Sequence, residues 1–216
     1  AEQLSQHHVV FMAAPHHHPA MRHAAGARKV LALPTLFNLV GPMVNPAGVK
    51  RQLMGVYAPQ WLRPVTEVLA RLGSECVWTV CGQPQDGQGG IDEITLAGPT
   101  QAVAFENGQI QSYQIEPDMA GLPYAPVSAI KGGDARHNAQ ALEALLRGAH
   151  GAYRDTVLLN AAFALHVAGQ QTVLRNGRID PAALKHSVAT AARSLDNGTA
   201  FAVLNGLRAS SSDAHA

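Results

Sequence analysis

The sequence is short of charge, of aromatic rings, of cysteine and of long apolar runs, and each shortage excludes something. Charged residues make up 14% of its 216 positions, against about 25% in an average soluble domain, while 47% are hydrophobic. A chain this apolar can bury a core, which excludes disorder as its main state. Lys and Arg number 16 and Asp and Glu 15, for a formal charge of +1. No broad field is therefore available to hold a nucleic-acid backbone or an anionic membrane, and any phosphate site has to be local. Gly, Pro or charge interrupts every apolar stretch well before the roughly 18 residues of a membrane span, and residues 1–8 lack the basic-then-apolar order of a secretory signal. The two cysteines, Cys76 and Cys81, lie in a strand-like run. Extended, they point to opposite faces about 16 Å apart, too far to bridge. Two reduced thiols fit a cytoplasmic protein.

The patterns that are present predict an α/β fold: a central, mostly parallel sheet flanked by helices, with a small antiparallel hairpin excursion. One such domain is expected over residues 1–208, followed by a disordered tail at 209–216. Ala20 to Leu31 predicts a helix ended by Pro34. Thr35 to Val40 is β-prone and predicts a strand, stopped by Gly41-Pro42 and Asn45-Pro46. Gln52 to Tyr57 and Cys76 to Cys81 read as buried strands, and between them Trp61, Leu62, Val65, Val68, Leu69 and Leu72 recur at helical spacing. Strand, helix, strand is the order of a parallel crossover. Glu93 to Leu96, Gln101 to Phe105 and Ile110 to Ile115 predict short strands, the last two joined by Asn107-Gly108. Helices are expected after Asp134, over Arg154 to Ala168, after Asp180-Pro181, and over Thr199 to Leu207.

Four places can carry chemistry. His16, His17 and His18 stand in a row before Pro19, but adjacent imidazoles in extended chain alternate sides and cannot all face one ion. A loop presenting one His to a ligand is the better reading. Arg28 is either a solvated charge or a planar fork for a carboxylate, seven residues beyond Met21 on the same helical face. Gly41-Pro42, placed after the expected strand, is either a tight structural turn or a ligand wall at the carboxyl end of a sheet. Asp92 and Glu93 follow the Gly-rich loop from Gly82 to Gly90. They are either a solvated turn or a Mg²⁺ site for a phosphorylated substrate, since Mg²⁺ is held by one or two carboxylates plus phosphates and waters. Lys131-Gly132-Gly133-Asp134 lacks the spacing of a phosphate loop and is assigned to helix capping.

The segments APHHHPAMRHAAGAR (14–28), PTLFNLVGPMVNPAGVKRQLMGVY (34–57), RLGSECVWTVCG (71–82), GIDEITLAGPT (90–100), GGDARHNA (132–139) and RDTVLLNAA (154–162) together resemble the anthranilate phosphoribosyltransferases. The likeness runs collinearly from about Val9 to Leu207. It implies the large α/β domain of the nucleoside phosphorylase and phosphoribosyltransferase folds. It also implies a step of tryptophan biosynthesis in which anthranilate attacks C1 of phosphoribosyl pyrophosphate, releasing pyrophosphate. Carried onto matching positions, Asp92 and Glu93 are the Mg²⁺ pair and Arg28 meets the anthranilate carboxylate. His18, Met21 and the Gly41-Pro42 turn resemble parts of the aromatic substrate's channel. No protein nucleophile is required, because positioning and charge neutralisation suffice.

Family members also carry an N-terminal helical domain and a GTGGD phosphate loop, neither of which has a counterpart here. The chain is thus expected to be an incomplete part of the enzyme, without the domain that makes the family's homodimer contacts. Smaller departures are Ala32, Pro34, Val44 and Cys81 and a longer loop at Gln83 to Gln88. Two other classes compete: a non-catalytic relative that binds nucleic acid or another ligand, and a pyrimidine nucleoside phosphorylase-like enzyme. The +1 charge and the retained Asp92-Glu93 pair weigh against nucleic acid and against loss of catalysis.

Overall fold

The computed structural model describes residues 2–12, 26, 36–87 and 89–213, with backbone alone at 36–38 and 211–213. His16, His17, His18, Met21, His23, Arg28 and, apart from Gly26, the helix expected at 20–31 lie outside the described residues. The chain forms two compact units. One comprises Pro34–Lys131 and His150–Ala191, and the other Ala1–Leu33, Gly132–Ala149 and Ala192–Ala216.

The larger unit is built on a four-stranded sheet in the order β1-β2-β3-β4, formed by β1 (Arg51–Gly55), β2 (Cys76–Gly82), β3 (Thr100–Glu106) and β4 (Gln109–Ile115). β1 and β2 run parallel, as the crossover pattern predicts, with Leu53 opposite Trp78. The expected antiparallel hairpin is present as β3 and β4. β3 pairs antiparallel with β2 along seven residues and so extends the same sheet. Its turn uses Asn107 and Gly108, both at positive φ, the conformation that joins twisted strands tightly. Every residue of β2 is buried, because a helix covers each face of the sheet.

On one face lies α3 (Leu62–Arg71), which follows α1 (Glu2–His7) and α2 (Leu36–Met43) in the chain. It contributes Leu62, Val65 and Leu69 to a core with Met54, Val77 and Val103. Val68 and Leu72 fall on its outer side, 41% and 60% exposed. Two buried hydroxyls sit inside this apolar layer. Thr66 Oγ1 and Thr79 Oγ1 are 2.6 Å apart and both reach the Leu62 and Val103 carbonyls, so neither is left unsatisfied. On the other face α5 (Ala152–Val167) packs Leu159, Ala162 and Phe163, all fully buried. Trp78 stacks on Tyr113 at 4.7 Å and meets Phe163 at 5.3 Å. Burying one such side chain contributes roughly 2 kcal/mol.

Two expected strands are absent. Residues Leu36–Met43 form helix α2, with Pro42 inside it. Leu36, Leu39, Val40 and Met43 have helical spacing, and a short apolar run does not by itself distinguish helix from strand. Gly41-Pro42 is therefore not a turn after a strand. Residues 93–96 make no strand either. A second hairpin, β5 (Leu174–Arg175) and β6 (Arg178–Ile179), turns on Asn176 and Gly177, again both at positive φ.

In the smaller unit Asp134 caps α4 (Ala135–Leu146) by accepting from the His137 N–H at 2.8 Å, the role its sequence position predicts. Leu145 of this helix is buried and Leu142 is 39% exposed. Glu143 accepts from Arg147 and Arg208, each at 2.9 Å, and these bonds pull its carboxyl below the usual range. Helix α6 (Pro181–Asp196) starts in the larger unit after Asp180, whose Oδ1 accepts from the Ala183 N–H. Helix α7 (Thr199–Asp213) continues through part of the stretch expected as tail. Against α7 lies α1 (Glu2–His7), where His7 Nε2 meets Ser210 Oγ at 2.9 Å.

Candidate functional site

β1 ends at Gly55, opposite Val80, and β2 runs on to Gly82, and the chain bearing Asp92 and Glu93 folds across those ends. It is tied on its upstream side by a two-bond bridge in which the Gly82 and Ile91 amides donate to each other's carbonyls at 2.8 and 2.9 Å. On its downstream side Ile94 pairs with the Asn160 side chain of α5. From below, Gly55 lies so close that any Cβ there would collide with the Asp92 backbone. Only glycine permits that approach. The preceding loop is fastened too, since the Gln83 and Gln85 amides donate to the Pro99 and Ala97 carbonyls.

Between the two clamps stand two adjacent carboxylates. Asp92 is exposed and Glu93 half-buried. Burial, and then the charge of Asp92, push the Glu93 carboxyl above its ordinary 4.5. Burial and Asp92 also push up the thiol of Cys81, which closes β2 beneath the loop. Two like charges in partial burial favour a proton or a cation. Beside Glu93 opens a cavity of about 390 Å³ lined by Leu53, Ile130, Tyr153, Val157 and Asn160, a mainly apolar wall with a few polar groups. Among the described residues no three His, Cys, Asp or Glu side chains converge to hold a metal. The pair thus offers hard oxygen donors and leaves further coordination positions to phosphate or water, the donor chemistry Mg²⁺ takes.

Of the residues singled out in the sequence, Asp92 and Glu93 lie together at the carboxyl end of the two parallel strands, where open α/β sheets place ligands. Gly41 and Pro42 lie in α2, where the Pro42 carbonyl accepts from Gln52 of β1 at 3.1 Å. His18, Met21 and Arg28 are outside the described residues. Sequence reasoning missed Gly55 and Asn160. Asn160 belongs to the RDTVLLNAA segment, but nothing local marks its amide as a partner of Ile94.

Residues 1–201 match the family described as glycosyl transferase family, a/b domain. The chain belongs to this family. Among members, it is 55% identical over 208 residues to the anthranilate phosphoribosyltransferase of Gluconobacter oxydans, covering 96% of this chain and 57% of that protein. The crystal structure of anthranilate phosphoribosyltransferase from Thermus thermophilus superposes with a TM-score of 0.70 at 37% identity, covering 87% of this chain and 51% of that one. The Saccharomyces cerevisiae enzyme in complex with PRPP and Mg gives 0.71 at 26% identity, over 87% and 50%. The chain spans little more than half the length of these relatives. Among the described residues no helix is long and apolar enough to cross a membrane.

Proposed function

We propose that this chain is part of an anthranilate phosphoribosyltransferase, transferring the phosphoribosyl group of phosphoribosyl pyrophosphate to anthranilate. The observation that carries the reading is the clamped Asp92-Glu93 pair, with like charges held side by side at the carboxyl end of β1 and β2. Its support is the family membership and a relative that bears that name at 55% identity. The two carboxylates would hold Mg²⁺, as the donor set fits. When bound, Mg²⁺ supplies positive charge against the pyrophosphate leaving group as its bond to C1 breaks.

The chain's own groups do the rest by placement. Asp92 and Glu93 keep negative charge where a cation is to sit, and the Gly82–Ile91 bridge and Asn160 hold them there against mutual repulsion. Arg28 presents a planar fork to the anthranilate carboxylate, and His18, Met21, Gly41 and Pro42 line the path of the aromatic ring. No side chain serves as nucleophile, since the anthranilate amine attacks C1 itself. Cys76 and Cys81, buried and unbridged, suit a cytoplasmic enzyme.

The test follows anthranilate consumption by fluorescence with phosphoribosyl pyrophosphate and Mg²⁺, in the full-length protein that contains this chain. Asp92→Asn is expected to lower the rate at limiting Mg²⁺ by about 100-fold. Arg28→Ala is expected to raise KM for anthranilate and leave the metal response alone. An unchanged Mg²⁺ dependence in Asp92→Asn would overturn the assignment.

A further inference from the structure

We infer that Asn160 is a positioning residue for the Asp92-Glu93 pair: its carboxamide holds the downstream end of this loop as a neighbouring strand would. The inference rests on the reading of that pair as the Mg²⁺-binding one. Asn160 Oδ1 accepts from the Ile94 N–H at 3.0 Å, and Asn160 Nδ2 donates to the Ile94 carbonyl at 2.7 Å. This is the two-bond pattern of neighbouring strands, made by a side chain. The second Nδ2 proton goes to the Thr156 carbonyl one turn back on α5, at 2.9 Å. The amide orientation is unambiguous, because a backbone N–H only donates and a carbonyl only accepts.

The consequence for the carboxylates follows from chain connectivity. The Ile94 N–H belongs to the peptide unit leaving Glu93, and the Gly82–Ile91 bridge fixes the residue before Asp92. Asp92 and Glu93 are thus the only residues between two fixed points. Loops relax in the direction that separates like charges, and here relaxation is opposed at both ends. Asn160 also lines the cavity into which Glu93 opens, together with Thr156 and Val157, so α5 sets both the wall and the loop. A backbone held at both ends leaves less ordering entropy to lose when a cation arrives, which is what outer partners of metal ligands contribute.

The experiment compares Asn160→Ala, Asn160→Asp and Asp92→Asn in the full-length protein. Asn160→Asp is isosteric and keeps the acceptor for Ile94 while turning both donors into an oxygen that repels the Ile94 and Thr156 carbonyls, and exchange of β2 reports whether either Asn160 variant has misfolded. Two quantities are read: the Mg²⁺ concentration giving half-maximal rate, and hydrogen exchange of the 91–97 segment against that of β2. Both Asn160 variants are expected to raise the Mg²⁺ requirement about tenfold with kcat at saturating Mg²⁺ little changed. Exchange should accelerate at 91–97 and not in β2. If Asp92→Asn alters the Mg²⁺ requirement and the Asn160 variants alter neither that requirement nor exchange at 91–97, the positioning role is wrong and the metal reading stands. If Asp92→Asn leaves the requirement unchanged, the metal reading falls and this inference with it.

Discussion

The two ends of the central sheet each hold partly buried carboxylates, and they treat them oppositely. At the carboxyl end of β1 and β2, Glu93 faces Asp92 and its carboxyl is pushed up by burial and by that neighbour. At the other end Glu106, the last residue of β3, faces His166 of α5, with Nε2 3.5 Å from Oε2. His166 is buried there edge-on to Trp78, and Arg51 sits in the same cavity, bonded to the Val167 carbonyl and 3.6 Å from Glu75. Both ends use the same helix and the same sheet. The difference lies in what each carboxylate meets: a group able to carry positive charge at one end, a second negative charge at the other. A carboxylate that faces an imidazole within the packed layer belongs to the scaffold. Two adjacent carboxylates between backbone clamps are what the proposed Mg²⁺ site requires.

The largest way to break this contrast is Gly55→Ala. Its Cβ would overlap the Asp92 backbone, and because backbone cannot swing aside, a loss of roughly 3 kcal/mol is expected. Denaturant unfolding measures it, and a wild-type midpoint would mean that β1 and the loop do not touch. Next is His166→Ala, which makes the Glu106 end resemble the other by removing its basic partner. It leaves a half-buried carboxylate uncompensated and a gap beside Trp78, for an expected loss of about 2 kcal/mol. Paired with Glu106→Gln, the second change should restore part of that loss, and simple additivity would deny that the two groups interact.

The smallest effect concerns pH. A carboxyl whose folded pKa is raised gives stability that is full below the unfolded pKa and is lost as pH rises through the folded one. The wild type should therefore lose stability relative to Glu93→Gln as pH climbs from below 4.5 through the range just above it. Added Mg²⁺ should narrow that gap at neutral pH, and matching stability profiles for the two proteins would show that Glu93 carries no such penalty.

Much of the scaffold is legible in the sequence, for reasons that are local. Leu62, Val65 and Leu69 repeat with the period of a helix, β2 is a run of buried residues, and Asp134 and Asp180 stand where helices start. Asn107-Gly108 marks its own turn, and Asn176-Gly177 carries the same signal and went unread. The run at 36–43 shows the limit. Its apolar residues satisfy two periods at once, and packing of Leu39 and Met43 on the core settles it as helix.

The site divides in the same way. By itself the sequence determined that two carboxylates follow a glycine-rich loop, that the six family segments occur in one order, and that no broad charge is available for a polyanion. Only the tertiary structure decided that Asp92 and Glu93 lie over Gly55 and that an amide 66 residues downstream holds Ile94 in place of a strand. Local sequence encodes local preference, through side-chain period and turn geometry. A contact between residues far apart in the chain depends on how sheet and helix pack, and no spacing along the chain records it.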